Sequence, residues 1–532
     1  MLKGIFTCFF IAFFTSISAQ STIDVLHYKF AIKLNDQNDT IKGTATIRFI
    51  IKESNGTVSF DLSGVNGKGK GMIVTNVSLA SSSQASFQQA KDEITITLPP
   101  SFKQGDTADA MITYKGIPSD GLIISKNRYG DRTFFADNWP TRAHNWIPCK
   151  DQPDDKATFE FIVTAPSHYD VISNGEKTEE KLISSREKLT HWVENVPLPT
   201  KVMVIGVAKF SVKEYKDSPP GIPVSAWVYP QDSATGFRNY SVAPGILNFL
   251  SNYIAPYPYN KLANVESKTI FGGMENASCI FYAESSASSP QGAESLLAHE
   301  ISHQWFGDMA SEKTFAHLWL SEGFATYMTH LYISNKYGID SMNSEMKDDR
   351  QQVISFAKAS GHPVVDSISQ PRFLLNPNSY QKGSWVLHML HRQSGDSVFQ
   401  QILRTYYEKF KGKNANTRDF ESVAEEVCGK KLDTFFNQWL YRAAVPQLEI
   451  NWHYSDSEKK IILTVEQTQT SEAFQFPLDI RINVNTEASV DHTIYISQEK
   501  QIFVFPVSLK PVSVIADPYT SVLFEGTIKE IK

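Results

Sequence analysis

The chain has 532 residues, of which 41% are hydrophobic and 20% charged, and its net charge is −6. That length is too great for a single hydrophobic core and points to about three domains. The mild acidic balance and the absence of a long basic run speak against nucleic acid as a partner.

Met1-Leu2-Lys3 opens with one positive charge, Gly4 to Phe14 is nearly all apolar, and Ser16-Ile17-Ser18-Ala19 supplies small residues for cleavage before Gln20. Residues 1–19 read as a signal peptide, too short to span a bilayer comfortably. The mature chain is expected to be exported, to a periplasm or outside the cell, with no stable membrane insertion. It keeps Cys149, Cys279 and Cys428. Their scatter fits neither a disulfide framework nor a zinc finger, although a single bridge stays open. Sequons at Asn38, Asn55, Asn76, Asn239 and Asn276 would carry glycans only in a host that adds them.

Residues 20–212 are expected to form a β-rich domain. Tyr28, Phe30, Ile32 and Leu34 alternate with polar positions, as do Ile94, Ile96 and Leu98, and Phe159 to Val163 is another such run. Stretches such as Gly64 to Gly71 and Ser81 to Ser83 separate them as turns. After Ser218-Pro219-Pro220-Gly221 the pattern becomes mainly helical, so residues 213–445 form a second domain. Val445-Pro446 breaks it. Residues 446–532 then hold six short alternating strands, at 448–452, 461–465, 478–484, 493–496, 502–505 and 512–515, consistent with a β-sandwich. The fold class is multidomain α+β.

The chemistry lies in the helical part. His299-Glu300-Ile301-Ser302-His303 falls within Ala293 to Phe306, a stretch without Pro or internal Gly whose apolar Leu296, Leu297, Ile301 and Trp305 recur at helical intervals. Histidines four apart on a helix project from one face, close enough to grip one Zn²⁺. Glu322 follows after the eighteen residues 304–321 and supplies a third ligand. Two imidazoles and one carboxylate leave a fourth position for water, and Glu300 stands where it can take that water's proton.

Upstream lies Gly272-Gly273-Met274-Glu275-Asn276. Alone it reads equally well as a turn. Two glycines also let the backbone lie open beside an extended peptide, and a carboxylate near the metal can bind a free ammonium, fixing cleavage one residue from the N-terminus.

Several motifs, in order, resemble those of the M1 family of zinc aminopeptidases. GGMEN at 272–276 is similar to its exopeptidase motif, HEISHQWFGD at 299–308 to its zinc helix, and LWLSEGFATY at 318–327 to its third-ligand segment. Tyr380-Gln381-Lys382-Gly383-Ser384-Trp385 resembles the segment bearing its catalytic tyrosine, and Pro148-Cys149-Lys150-Asp151-Gln152-Pro153 its N-terminal signature. The resemblance implies a thermolysin-like catalytic domain holding one Zn²⁺ per chain through His299, His303 and Glu322. It also implies Glu300 as general base and Tyr380 as donor to the developing oxyanion. Glu275, with Gly272, Gly273 and Met274, would bind peptide substrates carrying a free N-terminus.

Two departures stand out. Where many members place Glu or Gln as a second amine ligand, this chain has Trp139, in Asp137-Asn138-Trp139-Pro140. Either Glu275 holds the amine with less help, or Asp137 substitutes; Trp139 could instead wall the pocket for the first side chain. The family's large helical C-terminal domain is also missing after the β-sandwich, which implies a more open site. Asp308 and Glu294 are weak candidates for orienting a ligand histidine, and His317, His330, His388 and His391 lack ligand spacing. The alternatives are a zinc endopeptidase of gluzincin type and an inactive peptide-binding homologue. Oligomeric state is left open.

Overall fold

A computed structural model describes residues 22–53, 55–79, 84–485 and 488–531. The expected signal peptide at 1–19 and the Ser-rich turn at 81–83 lie outside them. No helix of the described residues is long and apolar enough to cross a membrane, and Cys149, Cys279 and Cys428 are free thiols.

The first part is built of β-sheets. Strands β1 (Ile23–Lys33), β2 (Ile41–Ile51), β3 (Gly71–Leu79), β4 (Thr107–Ile117), β5 (Lys156–Pro166), β6 (Glu176–Leu182) and β7 (Glu187–Pro199) form a seven-stranded sheet in the order β6-β7-β5-β1-β2-β4-β3. The alternation read in sequence is the burial pattern: Tyr28, Phe30 and Ile32 of β1 and Phe159, Phe161 and Val163 of β5 are all buried.

A five-stranded sheet connects this part to the helices. It contains β8 (Ser211–Glu214), β9 (Val224–Val228), β10 (Leu262–Ser267), β11 (Gly273–Met274) and β12 (Cys279–Ala283), in the order β8-β9-β10-β12-β11. Its inner strands β10 and β12 are buried on both faces. Val224, Leu262, Ile280 and Tyr282 pack with the helices, whereas Ala263, Val265, Cys279 and Phe281 pack with the N-terminal sheets. The period-two geometry of a strand therefore sorts one sheet between two cores, and β11 lies at its edge.

The helices that concern the site are α1 (Ala243–Tyr253), α2 (Glu294–His303), α3 (Trp319–Tyr337), α4 (Ile339–Ser360) and α5 (Gly383–Ser394). Helix α2 is shorter than the expected 293–306. The chain turns back after His303, with Gly307 at φ 128° donating to the Ala310 carbonyl, so that residues 310–312 can pair with 413–415. Tyr380 lies not in a regular helix but in a π-helical turn, Asn378–Lys382, that leads into α5.

The last part has seven described strands in two sheets whose inward residues join the core of the helices. Six were expected. The seventh, Glu525–Glu530, is mostly exposed and carries little apolar alternation, yet it pairs in parallel with Gln447–Ser455.

Two lysine ammonium groups are held by backbone carbonyls, and that of Lys156 joins the first part to the helices. Lys156 Nζ of β5 donates to the carbonyls of Asp308, Met309 and Lys413 at 2.9–3.1 Å. Lys382 Nζ donates to those of Arg442, Ala443 and Ala444 at 3.0–3.5 Å. Burial pulls both ammonium groups down to about 7.

Candidate active site

The site grows from three adjacent elements. Alternation along the edge strand β11 sends Met274 into the core shared with the N-terminal sheets. It sends the flanking Gly273 and Glu275 the other way, toward α2. On α2, His299 and His303 share a face. Helix α3 packs against α2 and brings Glu322 to them.

His299 Nε2 and His303 Nε2 lie 3.1 Å apart, and each is 3.2 Å from Glu322 Oε2. A tetrahedral Zn²⁺ with bonds of about 2.0–2.1 Å holds neighbouring ligand atoms about 3.3 Å apart, so the triangle has the size of that shell. Its charge fits as well. Burial lowers the His299 imidazole, whereas at His303 burial is outweighed by Glu322, Glu275 and Glu300, which raise it to about 10. Burial opposes ionisation of Glu322 too, but His303 and the imidazole hydrogen bonds keep it well below the usual carboxylate range. Negative charge is concentrated where the three ligands converge, as a divalent cation requires.

A second buried group, Glu275, Glu300 and His303, adjoins the first. Burial, aided by the neighbouring acids, pushes the Glu300 carboxyl well above its usual range. The Glu275 carboxyl is also raised by burial, and His303 and Lys201 pull it back. Lys201 comes from the N-terminal part and is itself buried, with Nζ 2.5 Å from Glu312 Oε1. The Tyr380 ring stacks on His299 with centroids 5.8 Å apart. Burial and the surrounding carboxylates hold its phenol well above the ordinary value, so the hydroxyl stays a donor.

Partners of the ligands differ from those suggested by sequence. Glu294 does not orient a histidine; it accepts from Tyr332, Lys336 and Tyr337. Asp308 accepts from Gln304 Nε2 at 3.0 Å. His303 Nδ1 faces the Phe306 carbonyl and Ser321 Oγ, both at 3.1 Å. Such outer partners fix ring orientation and tautomer. Asp137 cannot substitute as an amine ligand. It is fully buried and occupied by Arg142, by Thr269 Oγ1 at 3.1 Å and by the Ile270 amide at 3.0 Å. It anchors the loop leading into β11. The sequons at Asn239 and Asn276 are buried, so neither side chain can carry a glycan in the folded chain.

His299, His303, Glu322, Glu300, Glu275 and Tyr380 line one cleft of about 430 Å³. Trp139, Phe271, Met274 and Leu375 also line it, as do Ser295, Leu296, Thr326, Thr329, His330 and Asp349 farther along. Trp139 makes edge contacts with Phe271 at 5.7 Å and Phe315 at 5.9 Å. His330 is thus a cleft residue that ligand spacing could not reveal.

Residues 239–439 match the Peptidase family M1 domain and residues 25–202 the Peptidase M1 N-terminal domain. The chain belongs to peptidase family M1. Peptidases of the M1 family are zinc-dependent, and the first match contains every residue of the cation cage. Among curated M1 relatives, rat "Glutamyl aminopeptidase" is 26% identical over 69% of this chain and 40% of its own length. The human protein of that name is 28% identical over 62% and 36%. "Aminopeptidase M1-C" of Oryza sativa subsp. japonica is 31% identical over 59% and 38%. The chain spans about 40% of the length of these relatives.

Proposed function

We propose that the protein is a zinc aminopeptidase that removes single residues from the N-terminus of peptides. One observation carries the reading: the buried Glu275 carboxylate stands beside a three-ligand cage at the open edge of a sheet. When bound by His299, His303 and Glu322, zinc polarises the scissile carbonyl and lowers the pKa of water. Strand β11 offers its free edge to an extended peptide backbone. Glu275 accepts from the leading ammonium and stops the chain there, which disfavours an endopeptidase. Glu300 takes a proton from water and delivers it to the departing amine. The Tyr380 hydroxyl donates to the carbonyl oxygen as negative charge develops.

The first side chain would meet Trp139, Phe271 and Met274. No Lys or Arg is among the described residues that line the cleft. An acidic first residue would find no partner, so neutral apolar residues are favoured, unlike what the relatives' printed name says of them. A panel of aminoacyl fluorogenic amides, with and without chelator, tests this. Turnover is expected for leucyl and phenylalanyl amides, well above glutamyl, with loss on chelation and recovery with zinc. Acetylating a peptide's N-terminus should abolish its cleavage; continued cleavage would point to an endopeptidase. Failure on every amide and free peptide would remove the reading.

Glu275→Ala is expected to raise KM and lower kcat together, because the ammonium contact both binds the substrate and sets the scissile bond. Steady-state kinetics on leucyl amide check it; a change in KM alone would show that Glu275 binds without aligning.

A further inference from the structure

The cleft runs well past the groups that the reaction uses. Helices α2 and α3 lie antiparallel: His299 meets Glu322 near the start of α3, while Glu294 is held by Tyr332 and Tyr337 near its end. Glu275 sits at the opposite end of α2, where Gln304 Nε2 donates to its carbonyl at 2.7 Å. With the leading ammonium at Glu275 and the scissile carbonyl at the cage, the rest of the peptide must leave toward the start of α2. It passes Ser295 and Leu296 on one side and Thr326, Thr329 and His330 on the other, with Asp349 of α4 at the far end.

That end is charged and not self-neutral. His330 uses both ring nitrogens, Nδ1 with Glu345 Oε2 and Nε2 with Asp349 Oδ2, each at 2.9 Å. Although burial opposes it, those two acids raise the imidazole to about 9, so it is a cation at neutral pH. One imidazolium between two carboxylates leaves one negative charge. Asp349 Oδ1 has only a long contact, 3.5 Å, to Gln352 Nε2 among the described residues.

The reach also fits. From Glu322 to His330 is eight helical residues, about 12 Å at about 1.5 Å each. One peptide step of about 3.5 Å and a four-carbon stem of about 6 Å together cover most of it, whereas shorter side chains stop well before. We propose that the leaving-group end of the cleft is a subsite for a lysine or arginine at the second position of the peptide, with Asp349 as acceptor of its cationic head. This deepens the aminopeptidase reading and rests on it.

The test compares kcat/KM for Leu-Lys-Ala, Leu-Ala-Ala, Leu-Glu-Ala and Leu-Ala-Lys. Leu-Lys-Ala is expected to exceed Leu-Ala-Ala by roughly tenfold, with Leu-Glu-Ala lowest, from one charge-assisted contact. In Asp349→Asn the Lys-to-Ala ratio should fall toward one. In the wild-type enzyme at about 1 M salt it should shrink as well, which keeps the idea testable if the variant does not fold. Equal rates on all four peptides would overturn the subsite while leaving the aminopeptidase intact. A preference for Leu-Ala-Lys would overturn its placement, and an unchanged ratio in folded Asp349→Asn would overturn the role of Asp349. No turnover of any peptide or of leucyl amide would instead refute the underlying function.

Discussion

Glu300→Gln is expected to keep its zinc and lose nearly all turnover, a fall of about 10²–10⁴ in kcat. Glu300 is not one of the three atoms that close the ligand triangle; it belongs to the adjoining group with Glu275 and His303. Glutamine keeps its volume and its capacity for hydrogen bonds but cannot accept a proton from water. The carboxyl that it replaces is poised for that task, since burial and neighbouring acids raise its proton affinity. Neutralising one of several crowded carboxylates should not cost folding stability, so thermal melting should be unchanged or shifted upward. Metal analysis, melting and leucyl-amide kinetics on the same preparation check the three parts. Near-normal kcat, or loss of zinc with the fold intact, would show that Glu300 has another role.

Much of the fold was legible in local pattern, because burial on a strand or a helix repeats with a fixed period. Tyr28, Phe30 and Ile32 alternate in sequence and are buried in the sheet; of the four apolar residues at helical spacing, Leu297 and Ile301 line the buried face of α2, Trp305 is buried just past its end, and Leu296 is half-buried against the cleft. Strand Glu525–Glu530 was not legible, since an exposed strand need not alternate. Within the site, spacing anticipated that His299 and His303 share a face, because both stand on one helix. It carried no information on contacts between distant segments. Ser321 Oγ meets His303 Nδ1 only because α3 packs on α2. Asp137, proposed as an amine ligand from its place beside Trp139, turns inward to a loop more than a hundred residues away. His330 had no motif to mark it, since its partners Glu345 and Asp349 lie on the next helix.

The adjacent glycines Gly272, just before the edge strand, and Gly273, its first residue, should behave differently when each is given a methyl group. A Cβ at Gly273 would stand 2.3 Å from Glu300 Oε1 and 2.5 Å from its Cδ, whereas a Cβ at Gly272 would find nothing nearer than Leu296 Cδ1 at 3.9 Å. Gly272→Ala therefore asks for no movement. Gly273→Ala forces the Glu300 carboxylate to shift by about 1 Å, and misplacement on that scale costs on the order of 10² in rate. The loss should fall on kcat, because the ammonium contact at Glu275 and the cation cage are not touched by the added methyl. Both variants should retain zinc. Combining Gly273→Ala with Glu300→Gln should lower kcat little beyond Glu300→Gln alone, since both changes act through one carboxylate and their effects cannot add. A multiplicative loss in the double variant would mean that Gly273 serves the peptide backbone directly rather than making room for Glu300.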